Sequence, residues 1–99
     1  VERGTYEFGY RVPRSIWQDF VVYYSLRNDF ETAARIIENF EHHKLTPDDV
    51  YYLCHALCIG AWVVGNTSVY KMYSQLLKAR WPYMPQPTDG ERKKYEETW

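Results

Sequence analysis

Cys54, His55 and Cys58 are the residues whose types best suit a metal ion or a reactive thiol. Cys54 and Cys58 are four residues apart, so on a helix they share a face, with His55 off to one side. A structural zinc site needs four ligands, often paired cysteines separated by two to four residues. The Cys54/Cys58 pair meets that spacing in its loosest form, and no second Cys/His pair follows it. A disulfide framework is equally unsupported, because a bridge between residues this close would shut only a tiny loop. The reading is two reduced core cysteines, which fits a reducing compartment, and His55 as a hydrogen-bonded core histidine.

His42 and His43 are adjacent and diverge by about 100° on a helix, so they do not chelate one ion easily. Glu38 lies one turn before His42, but a wet helix end, where a cationic histidine suits the dipole, accounts for them. Asp48-Asp49 is explained by helix capping and Glu96-Glu97 by solubility. Neither resembles an acid/base pair held apart across a cleft. There is no glycine-rich phosphate loop and no nucleophile elbow. No catalytic residue, metal ligand or cofactor is assigned, and the chain reads as non-enzymatic.

The elements that would position these residues are helices. Residues 1–14 are the exception: Tyr6, Phe8, Tyr10 and Val12 alternate with Glu7, Gly9 and Arg11, which predicts an extended arm. Such an arm packs on its own domain or along another subunit. A first helix begins at Ser15, where Ser15…Gln18 forms a capping box, and stops near Arg27. Its apolar stripe is Trp17, Phe20, Val21 and Tyr24. A second helix starts at Asn28 or Asp29 and buries Phe30, Ala33, Ala34, Ile37 and Phe40. The join is about two residues, so the two helices form an antiparallel hairpin. Thr46-Pro47-Asp48-Asp49 opens a third helix with a cap, a first-turn proline and two acids. Its body, Val50 to Val64, is apolar nearly all round, and Gly65 ends it.

A fourth helix starts around residues 66–68. Val69, Met72, Tyr73 and Leu76 make its expected inner stripe, and Tyr70, Leu77 and Trp81 a second apolar line. Three prolines in Trp81 to Pro87 exclude regular helix. Thr88…Glu91 is again a capping box and opens a short polar fifth helix, apolar only at Tyr95 and Trp99. The expected fold is therefore all-α: two stacked antiparallel helix hairpins (15–81), the extended arm (1–14), and a Pro-rich linker with a C-terminal helix (82–99).

Ten tyrosines and four tryptophans exceed what one 99-residue core absorbs, so some rings belong at a protein interface. The expected partner contacts are Tyr6, Phe8 and Tyr10 of the arm, the Tyr70/Leu77/Trp81 line, Tyr83 of the linker, and Tyr95 and Trp99. The one long uncharged run, Val50 to Gly65, spans 16 residues, shorter than the roughly 20 a membrane helix needs. No signal peptide is visible and the first residue is Val, so the chain is processed or begins inside a longer one. The net charge of −1 offers little to a phosphate backbone. Direct RNA binding, with Arg92-Lys93-Lys94 and the scattered basic residues gathered on one side, or a place in a mitochondrial ribonucleoprotein, is the alternative to protein docking.

Ile16 to Asp48 covers 33 residues and closes on Leu45-Thr46-Pro47-Asp48, the length and ending of a helical-repeat unit. With Ala33-Ala34 in the second helix, this stretch resembles pentatricopeptide and related repeats. Leu26-Arg27-Asn28-Asp29-Phe30 followed by Arg35-Ile36-Ile37-Glu38 is similar to a segment of the matrix-facing Va subunit family of mitochondrial cytochrome c oxidase. Tyr51-Tyr52 lies about where that family's next helix begins. The likeness covers residues 16 to 53; the long apolar helix and the Trp-Pro linker depart from it. It implies a soluble accessory subunit without chemistry of its own. Such a subunit would contact others of an inner-membrane respiratory-chain complex on the mitochondrial matrix side.

Overall fold

The computed structural model describes residues 14–43 and 47–98. Within them the chain forms five helices and no strand: α1 (Arg14–Ser25), α2 (Phe30–His43), α3 (Pro47–Val64), α4 (Thr67–Arg80) and α5 (Asp89–Thr98). The expected all-α architecture of stacked hairpins is what is observed. The arm residues Tyr6, Phe8 and Tyr10, the Thr46 cap and Trp99 lie outside the described residues.

Helix α3 is the hub. It packs against each of the other four helices, and α1 also packs along α2. That is why α3 carries apolar residues around its whole circumference: Leu53, Ala56, Leu57, Cys58, Ile59 and Ala61 are fully buried. It begins at Pro47, with Asp48 and Asp49 in its first turn. The locked φ of proline and the acid charges both suit a positive helix start.

The two hairpins turn the same way. At the end of α1, Asn28 takes a left-handed conformation (φ 62). Its N–H donates to the Ser25 carbonyl, and the Asp29 N–H to the Tyr24 carbonyl. At the end of α3, Gly65 is left-handed (φ 77), its N–H donates to Trp62, and the Asn66 N–H donates to Ala61. Each is a Schellman stop. The residue that follows caps the next helix: Asp29 Oδ1 accepts the Thr32 N–H (3.2 Å) and Asn66 Oδ1 accepts the Val69 N–H (3.2 Å). The two turns meet, with Asn66 Nδ2 donating to Asn28 Oδ1 (3.1 Å). Asn28 and Gly65 are 37 residues apart, as are Asp29 and Asn66, so the two hairpin turns recur at a spacing of 37 residues.

After α4 the chain crosses α3 as a non-helical linker. The Trp81 N–H still closes on the Leu77 carbonyl (2.8 Å), and the Tyr51 hydroxyl donates to the Pro85 carbonyl. Helix α5 opens on the expected capping box. Thr88 Oγ accepts the Glu91 N–H (3.3 Å), and Glu91 Oε1 accepts the Thr88 N–H (3.2 Å). Helix α5 buries none of its residues fully and lies along α3.

Candidate docking face and cleft

Two expectations about the apolar faces are overturned. The Tyr70/Leu77/Trp81 line is the inner face of α4, not a partner surface. Leu77 is completely buried, and Trp81 is 1% exposed with its ring on Tyr51 (centroids 5.9 Å). Tyr70 is half-buried against Trp62 (5.1 Å), and its carbonyl accepts the Cys58 thiol (3.7 Å). Of the expected inner stripe, Val69, Tyr73 and Leu76 are partly buried against the core, and only Met72, 61% exposed, points away. Both lines are apolar, and the one that starts at Tyr70 meets α3 while its extension, Trp81, closes over the end of the core. Tyr83 is exposed, with its hydroxyl near Asp48 Oδ1 (3.4 Å), and Tyr95 is half-buried.

On α1 the stripe is rotated from the expected one. Val21, Val22 and Ser25 face the interior, and Phe20 does not. Ser25 sits directly on Gly60 of α3; a Cβ built at Gly60 would come within 2.5 Å of the Ser25 Cβ. Trp17 packs edge-on against Phe40 of α2 (5.4 Å). Opposite these contacts, Ile16, Phe20 and Tyr23 are 40%, 46% and 44% exposed. They fall at i, i+4, i+7, one line along the helix. The Arg27 guanidinium lies over the Tyr23 ring at 4.3 Å. Sequence reasoning counted Phe20 as core and did not single out Ile16 or Tyr23. The available signal was that α1 carries apolar residues on more sides than one hairpin partner covers.

A cleft of about 310 Å³ opens between α1, α3 and α5, lined by Gln18, Tyr51, Tyr52, His55, Pro85, Glu91 and Tyr95. His55 is buried, and its Nε2 lies 3.5 Å from Glu91 Oε2, too long for a good hydrogen bond. Burial holds the His55 imidazole below its ordinary proton affinity, and the Glu91 charge only partly offsets this. Burial raises Tyr51, with the charge of Glu91 and then Tyr52 adding to it. Burial also raises Tyr95; the hydrogen bond with Gln18 acts against it, and Glu91 and Asp19 add to it. The Arg14 guanidinium covers the outer edge, 3.9 Å from the centre of the Tyr52 ring. The cleft thus offers a neutral imidazole, a carboxylate and phenols, and no Cys, Ser or Lys lines it.

Cys54 and Cys58 are buried, and burial raises the Cys58 thiol to about 12, the neighbouring Cys54 adding to the effect. Among the described residues no three His, Cys, Asp or Glu side chains gather where they could hold a metal ion. No helix among them is long and apolar enough to cross a membrane. No protein-family model, curated protein or solved structure matches the chain.

Proposed function

We propose that this chain is a non-catalytic docking subunit, held in a larger protein assembly through the outer face of α1. One observation carries the reading: two outward-facing helices, α5 and α1, present opposite chemistry. The outer side of α5 is polar, with Arg92 paired to Asp89 (2.8 Å) and Glu96 (2.6 Å). The outer side of α1 shows Ile16, Phe20 and Tyr23. Aromatic anchors grouped on one surface are what protein interfaces select. The net charge of −1 gives no comparable support to a polyanion partner.

The finer form of the proposal is an accessory subunit of a mitochondrial respiratory complex on its matrix side. Its support is the likeness of residues 26–38 to the Va subunit family of cytochrome c oxidase. Those residues form the α1–α2 turn and the first half of α2, next to the exposed α1 face. The test is native mass spectrometry of the tagged full chain isolated from mitochondrial extract in mild detergent. A fixed set of protein partners that includes respiratory-chain subunits, retained at about 0.5 M salt where surface charges are screened, is expected. Isolation as a lone monomer would end the docking reading. Release that steepens with salt, with nucleic acid in the sample, would replace it with the RNA-binding alternative.

A further inference from the structure

Given that docking reading, we infer that the partner of the α1 face is an amphipathic helix of another protein, laid on α1 as α1 is laid on α3. The matching hairpin turns fix the register. With a 37-residue spacing, Ile16, Phe20 and Tyr23 of α1 correspond to Leu53, Leu57 and Gly60 of α3. Leu53 and Leu57 are completely buried, and Gly60, on the same side of α3, is where Ser25 of α1 sits. The exposed line on α1 is therefore the counterpart of a line whose cover in this molecule is a helix. A stack built by one rule places the same kind of element on both.

The cover that α1 supplies defines the chemistry. Its inner face is small and β-branched, Val21, Val22 and Ser25, which lets the backbones come close. The side chains awaiting a cover on α1 are larger: Ile16, Phe20 and Tyr23. The occupant is thus a helix whose apolar stripe is built of small or β-branched residues at i, i+4 spacing, with space between them for two rings.

A second copy fits poorly. Docked through α5, whose Asp89, Arg92, Lys93 and Glu96 form an ionic surface, it would set those ions onto Phe20 and Tyr23. Burying those ions against rings costs more than the contact returns. Face to face it would set large side chains against large ones, without the small residues that the α1–α3 contact uses.

The test uses the full chain in its native complex, with a benzoylphenylalanine photo-cross-linker at Tyr23 and, separately, Phe20→Glu. The expected adduct joins Tyr23's position to a partner-protein segment with helical apolar spacing. Phe20→Glu should weaken that partner's binding at least about tenfold. Its melting curve should stay close to the parent's, because Phe20 is half out of the fold. Met72→Glu, on the exposed side of α4, should leave binding unchanged. An adduct to residues 1–13 of the same chain, or to a second copy, would overturn the inference. So would a partner retained at full strength by Phe20→Glu, even though docking as such would then stand. No partner in either preparation would instead remove the docking reading beneath it.

Discussion

Replacing Trp81 with Ala is expected to cost about 3–5 kcal/mol of folding stability, the range for deleting a large buried ring. The main-chain bonds around Trp81 survive the change: its N–H reaches Leu77 and its carbonyl accepts the Met84 N–H (3.1 Å). What disappears is the ring. It is 1% exposed, meets Tyr51 edge-on and carries the Arg80 guanidinium 4.5 Å from its centre. A tryptophan buries up to about 250 Å², and at about 25 cal/mol per Å² that gives an upper bound of about 6 kcal/mol. A domain of 99 residues holds about 5–15 kcal/mol in all. The variant is therefore marginal. Its midpoint should fall by at least about 12 °C, at about 4 °C or more per kcal/mol for a domain of this size. Urea titration followed by far-UV circular dichroism measures it, with an unchanged slope showing that the loss is one of stability. A loss under about 1 kcal/mol, together with a weakened assembly, would return Trp81 to the partner surface that the sequence suggested and refute the burial argument.

Gly60→Ala should destabilise by about 1–3 kcal/mol although alanine favours helix, because its methyl meets the Ser25 side chain. Adding Ser25→Gly should recover part of that loss in the same titration, and additive losses would refute the contact. The pH dependence has a definite sign at His55. Its folded-state proton affinity lies below the unfolded value near 6.5, so the unfolded chain binds the proton more readily. Stability should be full above about pH 6.5 and decline as the pH falls from there. His55→Gln should flatten the decline, and Glu91→Gln, which removes the opposing charge, should steepen it; parallel profiles for all three proteins would refute the assignment. The Cys58 thiol, raised to about 12 and buried, should resist alkylation in the folded protein at pH 8 and react on unfolding. Rapid labelling of the native protein, read by intact mass, would show that α3 opens more easily than its burial allows.

Much of the fold was legible because it is local. The Thr88–Glu91 box, Pro47 with Asp48 and Asp49, Asp29 as a cap and Gly65 as a stop all act within one turn of chain. Asn28, expected as a cap, instead takes the left-handed stop and leaves the cap to Asp29. Both residue types suit both jobs, so only the backbone could divide them. The long apolar run of α3 likewise announced a helix covered on several sides, and four helices cover it.

What sequence alone determined was where helices start and stop, that they pair as hairpins, and that α3 lies innermost, since capping chemistry and periodicity are properties of neighbouring residues. Which side of each helix turns inward was decided only in three dimensions. Helices α1 and α4 each carry two apolar lines, and periodicity treats both alike. The Ser25–Gly60 approach orients α1, leaving Phe20 outside, and the fit of Tyr70, Leu77 and Trp81 against α3 orients α4, leaving Met72 outside. The cleft exists only because the linker returns α5 to α3 and brings Glu91 to His55, 36 positions earlier in the chain. No local signal encodes such a meeting, because it depends on how whole helices are placed against one another.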